Sequence, residues 1–151
     1  MLDDLDRRIL RHLQRDPALS VPELADRLGQ SAPRLTRRLE KLQSGGILRG
    51  QRAVIDWRAL GYEVEVSLRV TLDKTQTRAF DDFLEGARGI PEVLEIQTFL
   101  GRVDVRLSVI ARDIAHYQHI YRRKILTLPH IADIEALMHV ARIKSDEVLP
   151  I

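Results

Sequence analysis

The sequence predicts an α+β protein in which a three-helix unit is followed by a β-α-β-β-α-β sandwich. Apolar residues recur every three or four positions in the first 45 residues, which is a helical period. Later they alternate with polar residues in four segments, and two helical patterns lie between those segments. We therefore predict domains at residues 1–55 and 62–151, joined by a hinge over residues 56–61.

The first two helices have clear start and stop signals. Asp3 can cap a helix whose apolar residues follow at a spacing of four and which ends before Pro17. Ser20 and Glu23 form a capping-box pair, in which each side chain satisfies a backbone N–H group of the other residue. Gly29 can adopt the positive φ that ends this second helix.

The third helix follows after a turn of three residues. Ser31 can cap it, and Pro33 lies in its first turn, where a missing N–H group does no harm. Two stripes run along it: an apolar one, and a cationic one roughly 130° further round the helix. The apolar stripe is Ala32, Leu35, Leu39 and Leu42, and the cationic stripe is Arg34, Arg37, Arg38 and Lys41. Two helices joined in this way indicate a helix-turn-helix.

Charge is concentrated around this third helix. Residues 27–52 contain seven Lys or Arg and one acidic residue, a local charge of +6 in a chain whose net charge is +2. A cationic helix face is usually only solvated, but charge segregated to this degree is typical of a surface that contacts the phosphates of double-stranded DNA. Residues 47–55 then read as a strand or wing, from which Arg49 can contact phosphate.

The second half has the strand and helix order of a ferredoxin-like fold. Strand patterns cover residues 64–72, 93–100, 103–111 and 131–143, and the helical patterns start near Ala79 and Ile114. Val93, Phe99 and Ile110 fall among the polar positions of their strands, on the face that the helices leave open. A second copy of the sheet would cover that face, so we predict a homodimer.

Composition excludes several classes of protein. With no cysteine among 151 residues, the chain has no disulfide, thiolate metal site or cysteine nucleophile. No apolar run approaches the roughly 20 residues that span a membrane, and the N-terminal segment lacks a signal-peptide pattern. His116 and His119 are three residues apart on a helix, but without an obvious third ligand. We expect a cytoplasmic protein without catalytic residues, metal or other cofactor.

The chain resembles the Lrp/AsnC, or feast/famine, transcriptional regulators along nearly its whole length. The likeness begins with Leu-Asp-Asp-Leu-Asp-Arg-Arg-Ile-Leu at residues 2–10 and Glu-Leu-Ala at residues 23–25. It continues with Arg-Leu-Glu-Lys-Leu at residues 38–42, Ile-Pro-Glu-Val at residues 90–93 and Leu-Pro-His-Ile at residues 128–131. Each motif is loose by itself, but the ordered set is specific.

The resemblance implies a winged helix-turn-helix joined to a ferredoxin-like effector domain. It also implies dimers that assemble into tetramers or octamers, and a small effector, usually an amino acid. The positions that match the family's recognition helix are Ser31, Pro33, Arg34, Arg37 and Arg38, with Arg37 and Arg38 expected on phosphates. With Lys41 and Arg49 they form the predicted DNA-binding set.

The family's effector turn matches residues 100–104 of this chain. The predicted effector-binding residues are Leu100, Gly101, Arg102 and Asp104. Arg102 and Val103 depart from the polar and aromatic residues usual there, and His130 replaces a common glycine. A guanidinium at residue 102 could hold a carboxylate in a bidentate pair; a solvated loop arginine is the alternative.

Two other functions are open to this sequence. One is an architectural DNA-binding protein with little sequence preference. The other is an enzyme, because siroheme decarboxylases resemble the same two-domain architecture. An enzyme would have little reason to keep four cations on one helix, so we favour a sequence-specific regulator that responds to an effector.

Overall fold

The computed structural model describes residues 2–145 and 148–151, and they form two compact units. The first comprises the described residues of Met1–Val54 and Lys144–Ile151, and the second is Ile55–Ile143. Residues 144–151 were predicted to lie in the second domain, whereas the described residues of this range group with the first unit. No helix in the described parts of the chain is long and apolar enough to cross a membrane.

The first unit contains three helices around one core. They are α1 (Asp4–Arg15), α2 (Val21–Leu28) and α3 (Ala32–Ser44), and the turn between α2 and α3 has the predicted three residues. Their apolar faces meet in a cluster of seven buried side chains: Ile9, Leu13, Leu24, Ala25, Leu28, Leu35 and Leu42. The predicted apolar stripe of α3 therefore faces the core, since Ala32 and Leu39 pack against the same cluster.

The helix caps agree with the sequence patterns at α1 and α2. Ser20 and Glu23 form the predicted capping box, and the Ser20 hydrogen bonds lower the pKa of Glu23. Gly29 ends α2 with φ of 62°. At α3 the outcome differs, because Ser31 occupies the N-cap position but its side chain makes no capping hydrogen bond.

The segment after α3 is not a strand. Gly46 turns the chain with φ of 70°, but residues 47–55 have neither helix nor strand structure. Val54 is 92% exposed and Ile55 is 66% exposed. The β-like composition of this segment predicted a strand or wing, but a strand needs a neighbouring backbone for its hydrogen bonds, and no described segment pairs with this one.

The second unit has the predicted β-α-β-β-α-β order. Its strands are β1 (Val64–Leu72), β2 (Val93–Thr98), β3 (Val105–Ala111) and β4 (Ile131–Met138), and they form an antiparallel sheet in the order β2-β3-β1-β4. Between the strands lie α4 (Ala79–Arg88) and α5 (Ile114–Ile120), the latter extended by a π-helical turn over Tyr121–Ile125. The fold class predicted from the sequence is confirmed.

The three apolar residues predicted on the open sheet face have different environments. Val93 packs against the core between the helices and the sheet, because the register shifts between Val93 and Glu95. Ile110 is only 6% exposed within the single chain. Phe99 is 45% exposed and does need a cover. Of the three residues only Phe99 is exposed, so a second copy of the sheet would cover fewer apolar side chains on this face than the strand pattern predicted.

The last residues pair with α1 through a side-chain amide. The Gln14 Nε2 group donates to the Leu149 carbonyl oxygen at 3.0 Å, and the Leu149 N–H group donates to Gln14 Oε1 at 2.9 Å. Arg11 also donates to the Ile151 carbonyl oxygen. These bonds explain why the chain after the second unit belongs with the first.

His130 occupies a position that favours glycine. Its φ is 65°, in the left-handed region. Its Nε2 atom lies 3.0 Å from Asp82 Oδ2, and this hydrogen bond is the main cause of the lowered pKa of Asp82. The side chain thus makes a hydrogen bond that partly offsets the backbone strain.

We expect His130→Gly to be more stable than His130→Ala by about 1 kcal/mol, because both lose the hydrogen bond but only glycine relieves the left-handed strain. Urea unfolding of the two variants measures the difference. Since the pKa of Asp82 is lowered, the stabilisation from its bond with His130 is present above the ordinary value of 3.8 and lost as the pH falls below it. Equal stability of the two variants would show that the backbone is unstrained.

Candidate nucleic-acid interface and effector turn

The outer face of α3 carries three exposed cations. Arg34, Arg37 and Lys41 lie at spacings of three and four residues, so they share one side of the helix over about 10 Å of its length. None of the three forms an ion pair with any described residue. Unpaired cations on a helix that fits a major groove, which is about 12 Å wide, are suited to phosphate and base contacts.

Arg38 differs from its neighbours, because it is held inside the first unit. Its Nη1 atom lies 2.6 Å from Asp3 Oδ2 and 3.3 Å from Asp6 Oδ1, and Asp6 is 2% exposed. Asp3 and Asp6 also form the capping box at the start of α1. The Asp6 backbone hydrogen bond, with Arg38 nearby, lowers the pKa of Asp3. Arg38 therefore joins α3 to α1. The sequence had predicted that it would contact phosphate instead.

The start of α3 is open to an anion. Ser31 and Pro33 are exposed, and the Ser31 side chain is not used for capping. The first N–H groups of a helix lack partners within it, and the helix dipole favours negative charge there. Arg49 is exposed beyond the end of the helix. Six of the seven predicted DNA-binding residues are thus accessible, and Arg38 is the exception.

The predicted effector residues are divided between the surface and the interior. Leu100 is fully exposed, Gly101 has φ of 153° and Arg102 is exposed, so these three form a surface turn. Asp104 is 2% exposed. Its carboxylate accepts the Leu72 N–H group at 2.8 Å and lies 2.9 Å from Lys74 Nζ. Asp104 thereby ties the start of β3 to the end of β1 and supports the turn from below.

A concavity lies beside this turn on the open face of the sheet. It has a volume of about 410 Å³, and its lining includes Phe99, Val103 and the side chains of Arg69, Gln97 and Arg106. Arg106 pairs with Glu95 at 2.9 Å, whereas the pair between Arg69 and Glu135 is longer, at 3.8 Å. This concavity therefore contains two guanidinium groups that already have carboxylate partners within the chain. Sequence reasoning missed it, because its residues come from three separate strands.

The histidine pair on α5 is not arranged for a metal. The His116 Nδ1 atom accepts the Arg112 N–H group at 3.1 Å, and its Nε2 atom lies 3.9 Å from Glu92. Burial raises the pKa of Glu92, but the hydrogen bonds from Lys124 and the charges nearby outweigh it, so the pKa is lowered overall. Across residues 2–145 and 148–151, no group of three or more His, Asp or Glu side chains is placed to bind an ion.

Comparison with known protein families assigns both units. Residues 2–49 match the model of a winged helix-turn-helix DNA-binding domain, and residues 65–149 match that of the Lrp/AsnC ligand binding domain. The chain belongs to the Lrp/AsnC family. The helix-turn-helix around α3 is therefore a DNA-binding module, and this Lrp/AsnC protein is a transcriptional regulator that responds to an effector.

Individual relatives support the same assignment. The chain is 34% identical to the proline dehydrogenase transcriptional activator of Rhodobacter capsulatus, over 87% of this chain and 86% of the relative. It is 30% identical to the leucine-responsive regulatory protein of Rhizobium meliloti, over 95% and 92%. A crystal structure of a Neisseria meningitidis transcriptional regulator in complex with L-methionine matches with a TM-score of 0.91 at 27% identity, covering 99% of this chain and 97% of that one.

Proposed function

We propose that this Lrp/AsnC protein is a sequence-specific regulator that reads DNA with α3 and responds to an amino acid. The observation that carries the proposal is the exposed face of Arg34, Arg37 and Lys41, whose charges have no ion-pair partner among the described residues. Ser31, Pro33 and Arg34 at the start of α3 would lie nearest to base edges, while Arg37, Lys41 and Arg49 would neutralise phosphates. Arg38 acts indirectly, by holding α3 against α1.

The proposed working form is a homo-oligomer. A helix-turn-helix usually reads two half-sites about one DNA turn apart, which requires at least two copies of α3. The second unit supports this idea, because large apolar side chains are exposed on it, including Phe99, Leu100 and Met138. A dimer that assembles further into tetramers or octamers would cover them. In the bacteria from which the named relatives come, such a regulator would act in the cytoplasm, where the DNA is.

An amino acid is the proposed effector, with the surface turn as its site. The related Neisseria meningitidis regulator was crystallised with L-methionine. In this chain Arg102 would hold the effector carboxylate in a bidentate pair, while Leu100 and Gly101 would line the turn. Asp104 would keep the turn in place through its bonds to Leu72 and Lys74. An effector changes DNA binding only if it favours one assembly state over another.

The test of the function is selection of DNA from a random pool, followed by competition. A specific regulator should enrich a related set of sequences, and its complex with them should survive an excess of random duplex. With an architectural protein, random DNA would displace the selected duplex in proportion to the amount of random DNA added. An enzyme related to the siroheme decarboxylases would instead consume a tetrapyrrole and show no salt-sensitive binding to DNA.

Arg102→Ala tests the effector site. A thermal-shift screen of the amino acids first identifies the effector by the rise in Tm that binding causes. We expect Arg102→Ala to require an effector concentration about tenfold higher or more for the same rise in Tm and the same change in DNA binding, since a charge-assisted bidentate pair is lost. DNA binding without effector should be unchanged. Arg88→Ala, which removes an exposed charge at the end of α4, serves as the control; an unaltered response in Arg102→Ala would move the site elsewhere.

A further inference from the structure

A second row of cations runs along α1. Arg8, Arg11, His12 and Arg15 lie at spacings of three and four residues, and together they line a concavity of about 220 Å³. The row extends over about 10 Å of helix, since each residue adds 1.5 Å. The family match assigns these four residues no individual role, and they are not among the predicted DNA-binding residues.

Helix stability does not explain the row. His12 and Arg15 lie in the last turn of α1, where the helix dipole favours cations, but Arg8 and Arg11 lie before it. Like charges three or four residues apart destabilise a helix by a few tenths of a kcal/mol per pair. Asp4 lies four residues before Arg8, but no acidic residue occurs between residues 7 and 15 to offset the repulsion among the other cations. Within the described chain, the three arginines form no ion pair, although Arg11 donates to the Ile151 carbonyl oxygen.

The row is also separate from the cationic face of α3. The side chains of Ile9 and Leu13 lie in the core of the first unit, and the cations of α1 lie roughly 130° round the helix from them. The outer face of α3 likewise points away from that core, which its own Leu35 and Leu42 enter. Two helices that share one core present their outer faces in different directions. A duplex segment lying on α3 therefore does not cover the row on α1.

We propose that the cationic row of α1 binds the phosphate backbone of a second segment of DNA, beyond the segment that α3 reads. This inference rests on the proposed function. One strand of a duplex presents a phosphate about every 3.4 Å along its axis, so a row about 10 Å long faces about three of them. The row is assigned to phosphate contacts only. It would hold DNA that bends around the assembly.

The experiment compares a short and a long duplex with the full chain. The short duplex carries one selected site of about 25 bp, and the long one carries the same site within about 150 bp, so that its flanking DNA is long enough for the assembly to bend it onto α1. For R8Q/R11Q/R15Q we expect affinity for the short duplex within about twofold of the unsubstituted protein. For the long duplex we expect a loss of about tenfold or more, and a salt slope smaller by about 2 to 3.

Matched variants complete the design. R88Q/R122Q/R123Q removes the same charge from exposed positions on the second unit and should show no dependence on duplex length. R8Q/R15Q keeps the Arg11 bond to Ile151 and should lose about two thirds as much slope as the triple variant, since it removes two of three contacts. Equal behaviour of all variants on the long duplex, or an equal loss on both duplexes, would overturn the proposal. Failure of the proposed function is a different result: the unsubstituted protein would not bind the short duplex.

Discussion

Replacing Arg34, Arg37 and Lys41 together by alanine is expected to weaken binding to a selected DNA site by at least about 100-fold, or about 3 kcal/mol. Each lost phosphate contact removes a share of the counterion release that drives binding. A lost contact to a base edge costs a further 1 to 3 kcal/mol, approximately. Fluorescence anisotropy with a labelled duplex at a fixed salt concentration measures the change.

The stability of this variant should be unchanged. The three side chains are exposed and take part in no ion pair among the described residues, so their removal leaves no buried group without a partner. A variant that exchanges Arg88, Arg122 and Arg123 for alanine has the same net charge and should bind DNA nearly as well as the unsubstituted protein. If both variants lost affinity equally, the effect would be one of total charge, and α3 would have no special part in it.

Arg38→Ala should have the opposite profile, with loss of stability as its first effect. Asp6 is 2% exposed, and its carboxylate would lose its cationic partner. Removing one member of a buried ion pair costs about 3 to 5 kcal/mol. The Arg38 side chain is 26% exposed, so water can partly replace it, and we expect about 2 to 3 kcal/mol for the first unit.

Hydrogen exchange of the full chain locates this effect. Amides of α1 and α3 should exchange about 30-fold to 150-fold faster in Arg38→Ala, as a loss of that size implies, while those of the second unit keep their rates. Arg37→Ala, one residue away, should leave exchange unchanged and weaken DNA binding. An Arg38→Ala protein with unaltered exchange and a large loss of DNA affinity would return Arg38 to the DNA-binding set.

Sequence patterns predicted the elements of this fold because their causes are local. The capping box of Ser20 and Glu23, the left-handed Gly29 and the alternation in β1 all depend on residues a few positions apart. The division of α3 into an apolar and a cationic stripe follows from the helical period, and the structure has the apolar stripe in the core. The local preferences of these residues agree with their tertiary contacts, so the folded chain has the predicted elements.

The environment of individual side chains could not be predicted in the same way. Arg38 falls at the edge of the cationic stripe, and its partners Asp3 and Asp6 are more than 30 residues away in the sequence. The burial of Asp104 depends on a backbone group of β1, and the inward packing of Val93 depends on a register shift. These are long-range effects. The row on α1 follows a local helical spacing, but it was not among the residues predicted from the sequence.

The segment over residues 47–55 shows a third kind of limit. Apolar residues at both ends of the segment suggested a strand, but composition alone does not supply a partner for the backbone hydrogen bonds. Whether a strand forms depends on a partner backbone, which is a property of the whole assembly. Its exposed Val54 and Ile55 show that the single chain supplies no such partner within the described residues.

The salt dependence of DNA binding tests most directly whether the exposed face of α3 contacts phosphates. The logarithm of the binding constant for a short selected duplex is measured against the logarithm of salt concentration, for the unsubstituted protein and for the variant lacking Arg34, Arg37 and Lys41. We expect a steep linear fall for the unsubstituted protein, and a slope smaller by about 2 to 3 for the variant, close to 0.9 per lost contact. Identical slopes, or no binding even at low salt, would contradict the assignment of α3 as the DNA-binding surface.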